Sequence, residues 1–405
     1  MTKDYISILN RISKDADSFY LFDINKLESW MDALQSRLKE ELGDRASLIY
    51  AIKANPFLTE FINKRDNHFE VCSPGEFEIC VRNAVDTKKI VFSGVYKSKE
   101  NIERIFEEGF EGVITLESES HYELLKEVME EKNVSRVAIL PRLSSGNKFG
   151  MDEDTILTII RDAIKDDRIC ISGIQYFSGT QKKKIKVINE ELATIDSFCD
   201  RIKSETGLCI ETIEYGPGFF YDYYNLADHM AVFDEIIDEL KPYVDKYSFA
   251  LESGRFIAAG CGDYVTKVVD VKKTFEKKYC MVDGGIHHVN YYGRMLGMNN
   301  PKIDHLKKVG SEYTESTKAG TSTSEETYEV VGTLCTVNDV LIKSFAMDDP
   351  KTNDIIVFHD AGAYSCTESS VLFLSRTLPK IYALCNDGEI SELRGAVDSY
   401  TLNCR

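Results

Sequence analysis

Tyr50-Ala51-Ile52-Lys53-Ala54-Asn55-Pro56 decides how this chain reads. The run Ser47-Leu48-Ile49-Tyr50-Ala51-Ile52 is short and mostly apolar, which reads as a buried strand. It ends in a lysine followed by Asn-Pro, a pair that breaks regular structure. An ammonium at the end of a buried strand is costly to desolvate without a partner. Two readings fit Lys53. Its side chain has reached solvent at the strand end, as lysines usually do, or it is held as an amine that condenses with an aldehyde.

Outward from this stretch, strand and helix patterns alternate. Strands are expected at 47–53, 68–72, 89–93, 112–116, 136–142, 170–177, 211–215 and 248–252. Charged, periodic segments lie between them, such as Lys26–Leu42, Glu100–Glu108, Ser120–Lys132 and Asp152–Ile164. Eight strands alternating with helices predict an α/β fold, a (β/α)8 barrel of the TIM type. Chemistry in such barrels sits at the C-terminal ends of the strands, and Lys53 ends the first. After about residue 255 the texture changes to short β-rich runs: Tyr264–Val271, Tyr279–Val282, Glu329–Thr333, Ile355–Phe358 and Ile381–Cys385. These predict an all-β second domain. The expected division is a barrel over 20–255 and a β domain over 256–405, with residues 1–19, a helical lead-in, packing on the β domain. The polar stretch 310–327 reads as a mobile loop.

Composition sets the bounds. The 405 residues are 43% hydrophobic and 29% charged, enough for two domains. Lys+Arg number 49 against 67 Asp+Glu, a net charge of -18, which argues against nucleic acid as a partner. Eleven cysteines, an odd number without metal-ligand spacing, read as reduced thiols in the cytoplasm. The polar start Met-Thr-Lys-Asp-Tyr leads into no long apolar run, so neither a signal peptide nor a membrane span is expected.

Motifs in chain order carry a resemblance. Tyr50–Asn55 resembles the cofactor-lysine motif of the pyridoxal-phosphate (PLP) decarboxylases with the alanine-racemase-like fold, fold type III. That resemblance implies PLP as cofactor, Lys53 as its amine and CO2 release from an amino acid. His68–Glu76 resembles the family's second strand and turn, with Glu70 where relatives carry an acid near the cofactor. Pro141-Arg142-Leu143 and Lys148–Met151 resemble the fifth strand and its loop. Arg142 either approaches the cofactor's phenolic oxygen or is a surface arginine. Gly173–Gln181 resembles the sixth-strand motif. Phe177 stands where relatives usually stack a histidine on the pyridine ring; it can stack, for about 0.5–1.5 kcal/mol beyond area burial, but carries no proton. Thr180 matches a phosphate-binding hydroxyl. Glu214–Phe219 follows the seventh strand, and Gly216 and Gly218 let backbone N–H groups approach the phosphate, whereas Pro217 removes one donor. Leu251-Glu252-Ser253-Gly254-Arg255 resembles the eighth-strand Glu-Pro-Gly-Arg motif, with Ser253 a departure. Glu252 is implied to keep the pyridine nitrogen protonated, which completes the electron sink, with Gly254 and Arg255 beside it.

The β domain continues the series. Met281–His288 resembles a family turn, and its adjacent histidines face opposite ways on a strand, so no metal is expected. Arg294 is a candidate to hold a substrate carboxylate, or is structural. Gly332–Asp339 resembles the segment that relatives insert into the partner subunit's active site. Cys335 is the implied proton donor, and Asp339 is a further candidate for substrate contact. Gly362-Ala363-Tyr364-Ser365 matches a motif whose tyrosine touches the phosphate. A homodimer with shared sites is implied.

Relatives that act on free diamino acids place an acid directly after the motif cysteine, whereas here Thr336 and Val337 follow it. The combination of motifs is most similar to the branch acting on glutamate tethered to an acyl carrier protein. The expected substrate is therefore a carrier-bound or otherwise modified amino acid, with diaminopimelate as the alternative. A non-enzymatic PLP-binding barrel is disfavoured by Cys335 and Tyr364. Lys182-Lys183-Lys184 is either a solvated helix start or a contact for an acidic carrier.

Overall fold

The computed structural model describes residues 1–65, 67–225, 227–316, 326–386 and 388–404. The chain divides into two compact units. One comprises Ser29–Tyr221 with Ala227–Ile257; the other comprises Met1–Glu28, Asp222–Leu226 and Ala258–Arg405.

The first strand of the chain, β1 (Ser18–Asp23), belongs to the second unit. The first unit holds β2 (Ala46–Ala51), β3 (His68–Val71), β4 (Ile90–Phe92), β5 (Val113–Leu116), β6 (Val137–Leu143), β7 (Ile169–Ile171), β8 (Ile174–Phe177), β9 (Thr212–Gly216) and β10 (Ser248–Ser253). All pair in parallel. The ring β2-β3-β4-β5-β6-β8-β9-β10 closes because β10 pairs back on β2 and β5 on β6. Eight parallel strands with helices between them form the expected barrel. Residues 170–177, expected as one strand, are two. β7 pairs with the first half of β6, and β8 with its last two residues. The break falls at Ser172-Gly173, where the chain runs so close to β9 that a Cβ on Gly173 would lie 2.1 Å from the Thr212 carbonyl oxygen.

Strands covered on both faces read as continuous apolar runs. Leu48, Ile49, Tyr50 and Ala51 of β2 are all buried. Ile49, Val91 and Leu140, from three strands of the ring, pack as one cluster. The turns after the strands start helices with side-chain caps: Ser73 accepts from Glu76 N–H, Ser118 from His121 N–H and Asp152 from Thr155 N–H. Polar and charged residues are thus concentrated where the strands end.

The second unit is built on a long strand, Gly262–Thr274. It pairs antiparallel with β1, with Ile355–Phe358 and with Lys277–Val282. β1 also pairs in parallel with Lys380–Leu384. Glu326–Val331 and Val340–Met347 extend the sheet beyond Lys277–Val282. The helix Lys3–Ile12 contributes Leu9 and Ile12 to a core with Phe19, Leu21, Val265, Leu306, Ile355 and Val357. Of the loop expected over 310–327, residues Glu312–Glu315 form a strand and the strand Glu326–Val331 starts before its end; 317–325 lie outside the described residues.

Candidate active site

Strand order brings three charged side chains together. β2 lies between β3 and β10, with Ala51 opposite Glu70 and Tyr50 opposite Ser253. β2 ends at Ala51, and a tight turn, Ile52–Ala54, turns Lys53 onto this end of the barrel. Lys53 Nζ lies 2.8 Å from Glu70 Oε2 and 2.9 Å from Glu252 Oε1. Both carboxylates are buried, whereas Lys53 keeps 32% of its side chain exposed. The turn is fixed by Tyr50 Oη donating to the Asn55 carbonyl at 2.9 Å, while Asn55 Oδ1 accepts from Phe57 N–H. Cys72 Sγ donates to Glu70 Oε1 at 2.8 Å. Burial first, then the charge of Glu70, pushes the Cys72 thiol well up, so it stays protonated.

A third carboxyl completes the group. Glu214 of β9 is buried and accepts from Gln175 Nε2 at 2.6 Å. Burial, followed by the charges of Glu252 and Glu70, holds its carboxyl well above the usual range. Burial and then Glu70 also raise Glu252, while Lys53 and Arg142 pull it back.

The opposite side of the ring carries cations. Arg142 is not a surface residue. Its Nη1 donates to Glu117 Oε1 at 3.0 Å, its Nη2 to the Phe177 carbonyl at 3.3 Å, and its guanidinium lies 4.7 Å from the centre of the Phe149 ring. Lys97, in the turn after β4, is buried and donates to the Gly94 carbonyl at 2.8 Å, and burial lowers it to about 8. Phe177 ends β8, and a Cβ on Gly216 would lie 2.4 Å from its ring. Gly218, at φ +67°, comes so near the next loop that a Cβ there would sit 2.2 Å from the Gly179 carbonyl oxygen. Thr180 is exposed in that loop, and Gly254 and the buried Arg255 follow β10.

Residues 28–259, more than half of the chain, match the pyridoxal-binding domain of the pyridoxal-dependent decarboxylases. The chain belongs to that family. L-Glutamyl-[BtrI acyl-carrier protein] decarboxylase of Niallia circulans is 27% identical, across 98% of this chain and 96% of its own length. A diaminopimelate decarboxylase of Methanocaldococcus jannaschii is 28% identical across 81% of this chain and 76% of its own. The crystal structure of M. jannaschii diaminopimelate decarboxylase with L-lysine superposes with a TM-score of 0.83, covering 97% of this chain and 93% of that one at 23% identity, and shows the same fold. The protein is a PLP-dependent carboxy-lyase.

The decarboxylase's own donors fit that cofactor. Two carboxylates on one ammonium, Glu70 and Glu252 on Lys53, leave an excess of negative charge, which a protonated ring nitrogen answers. Gly216 and Gly218 let the turn after β9 pack against Phe177 and Gly179, and the backbone N–H groups of such a glycine turn are the donors a phosphate takes.

The remaining expected site residues lie in the second unit. Cys335 is exposed on the turn after Glu326–Val331. Tyr364 is half-buried at φ +63°. Burial lowers Arg294 below the usual guanidinium range, and Asp339 opposes that. Asp339, expected as a candidate for substrate contact, is buried and held by the backbone of its own unit. Oδ1 accepts from Ile286 N–H and Oδ2 from Leu334 N–H, each at 2.8 Å, and a Cβ on Gly285 or Gly332 would collide with its carboxylate. His288 bonds the Tyr264 hydroxyl and the Thr377 carbonyl, and burial lowers His287 to about 3 and His288 to about 4. Lys182 is also unavailable to a partner: it is buried against Glu191. Lys97, Glu117, Gln175 and Glu214 were not among the expected site residues. The available signal was a charged or amide side chain inside, or just beyond, an apolar strand.

Proposed function

We propose that this decarboxylase acts on an amino acid whose far end carries no free ammonium, such as a glutamyl group tethered to an acyl carrier protein. The Cys335 turn carries the argument. Thr336 follows the cysteine and Val337 is 93% exposed. Asp339 is the one acid in the segment 332–339, and it is buried with a backbone N–H group on each of its oxygens. A free diamino acid would leave its second charge unpaired there, at ~2–5 kcal/mol; a thioester or amide avoids that cost. The N. circulans relative, named for such a carrier-bound glutamyl substrate, supports the reading.

Bound PLP supplies the electron sink for the pair left when the Cα–carboxylate bond breaks. Within this reading Lys53 would supply the amine for the cofactor's aldehyde, with Glu70 beside that amine to take up its proton. Glu252 would pair with the ring nitrogen and keep it protonated, and Arg142, anchored by Glu117, would approach the phenolic oxygen. Phe177 would stack on the ring and carries no proton. Gly216, Gly218, Thr180, Gly254 and Arg255 would hold the phosphate, and the resemblance adds Tyr364 for the phosphate and Arg294 for the substrate carboxylate. Cys335 of the partner subunit delivers the proton that replaces CO2.

A homodimer supplies that thiol. Tyr292, Met295, Leu296 and Met298 are exposed on the same unit as Cys335, as are Leu372, Phe373, Leu374, Tyr400 and Leu402, and they are the apolar side chains a partner subunit would cover. Eleven free cysteines suit a reducing cytoplasm. No helix among the described residues is long and apolar enough to cross a membrane.

The test is kcat/KM on one enzyme preparation for free diaminopimelate, ornithine and lysine against glutamate carried as a thioester on an acyl carrier protein or a pantetheine arm. Faster CO2 release from the thioester is expected. Efficient turnover of free diaminopimelate rejects this reading in favour of a diaminopimelate decarboxylase.

A further inference from the structure

A second buried charged cluster adjoins the glycine turn after β9 and takes no part in the chemistry above. Lys182 Nζ lies 2.8 and 2.7 Å from the two carboxylate oxygens of Glu191, with side chains only 9% and 6% exposed. Glu191, on the helix Ile185–Thr206, also accepts from the Ser178 hydroxyl and, at 2.5 Å, from the Tyr215 hydroxyl. Ser178 and Lys182 bracket the loop after β8 that carries Gly179 and Thr180. Tyr215 is the residue before Gly216-Pro217-Gly218. One carboxylate therefore fastens both loops. The backbones are joined as well: Lys182 N–H donates to the Gly218 carbonyl at 2.9 Å, and the Gln181 amide clamps Tyr221, donating to its carbonyl at 2.9 Å and accepting from its N–H at 2.7 Å.

Such a pair needs a reason. A buried ion pair is a weak source of stability, because desolvation offsets most of the attraction, and an apolar pair of similar volume commonly does as well. Burial is the main influence on Lys182 and lowers it, with Glu191 holding it up. A bare carboxylate beside an anion site would also repel the anion; Lys182 neutralises it. What the pair supplies is geometry. Its four hydrogen bonds fix the spacing between the 178–182 loop and the 215–218 turn.

We propose that Glu191 and Lys182 form a positioning brace for the PLP phosphate, setting the two loops at the separation at which their backbone N–H groups and the Thr180 hydroxyl converge on it. This rests on the reading of these two turns as the phosphate site.

The experiment uses the full-length protein, stripped of cofactor and titrated with PLP and, separately, with pyridoxal, which lacks the phosphate. In the double variant Glu191→Leu/Lys182→Met the dissociation constant for PLP is expected to rise about tenfold, ~1.4 kcal/mol, with pyridoxal binding unchanged. Tyr215→Phe cuts only the link to β9 and leaves the ion pair in place, so it guards against misfolding of the double variant. It is expected to weaken PLP about threefold and to leave pyridoxal alone. PLP binding equal to the unaltered protein's in both variants overturns the brace, and so does an equal loss for PLP and pyridoxal. Should the unaltered protein bind pyridoxal as tightly as PLP, the reading of the turns as a phosphate site fails first, and the brace with it.

Discussion

Glu214 and Glu252 are neighbouring buried glutamates on adjacent strands, and the structure predicts opposite responses to the same substitution. Glu252 Oε1 is 2.9 Å from Lys53 Nζ, and in the function proposed above its negative charge pairs with a protonated ring nitrogen. Glu252→Gln keeps the shape and removes the charge. Loss of one charge-assisted hydrogen bond costs about 1.5–3 kcal/mol, roughly 10- to 100-fold in the dissociation constant for PLP. Glu214 accepts from Gln175 Nε2 at 2.6 Å, no cation among the described residues is hydrogen-bonded to it, and burial holds it toward the neutral acid. Glu214→Gln keeps an oxygen to accept that bond, so PLP affinity should change by less than about threefold, under ~0.7 kcal/mol. Titration of each apoprotein variant with PLP, followed by the absorbance of the lysine-bound cofactor, reads both numbers. Stability gives an independent check. A carboxyl raised on folding takes up a proton, so its contribution is fully present below its unfolded value near 4.5 and is lost as pH rises toward the folded value. The cofactor-free unaltered protein should therefore lose urea stability relative to Glu214→Gln as pH climbs above about 5. Equal losses of PLP affinity in the two glutamine variants would show that Glu214 works ionised, and would refute the assignment of the neutral carboxyl to β9.

Lys53→Ala should abolish borohydride trapping of the cofactor on the protein, and peptide mapping that finds it trapped on another lysine, Lys97 included, would remove Lys53 from its role. Lys53→Ala and Cys335→Ala, each inactive alone, should regain part of the activity when mixed and allowed to exchange subunits, since a hybrid keeps one intact site; full activity of Cys335→Ala alone, or a dead mixture despite exchange, counts against the shared site. In the second unit His359 bonds Asp263 and Asp304, each at 2.9 Å; burial alone would lower it, but the two aspartates raise it from 6.5 to about 9. That rise corresponds to about 3 kcal/mol favouring the folded state while the imidazole is charged. The stability gap between the unaltered protein and His359→Gln, measured by urea unfolding, should be largest below pH 6.5 and close as pH passes about 9; a gap independent of pH would mean the ring is neutral.

The barrel was legible because its signal is local and repeated. Each strand is an apolar run such as Leu48–Ala51 or Val137–Leu140, several are followed by a helix that a serine or aspartate caps, and pattern alone counts such units. The break at Ser172-Gly173 was not legible, because it comes from a backbone approach to Thr212, 39 residues away. The site divides along the same line. Lys53, Glu70 and Glu252 stand out as charges at the ends of apolar runs, and once strand order is known their meeting follows from β2 lying between β3 and β10. Asp339 illustrates what pattern cannot give. An acid four residues past a cysteine looks available to substrate, and only the fold shows it buried, with Ile286 and Leu334 N–H groups bonded to its oxygens. Lys182 is the same case with the sign reversed: the first of three consecutive lysines reads as solvated, yet it is the one turned inward, because its partner lies nine residues on, past the first two turns of the helix Ile185–Thr206. A side chain's chemistry is written in the sequence; whether that chemistry is available to a ligand or already spent on the protein depends on partners that the fold brings in from elsewhere. The two acids of this site that differ most, Glu252 beside Lys53 and Glu214 beside Gln175, are the same residue type on neighbouring strands, and only their partners separate a charge held for a cofactor from a proton held for the protein.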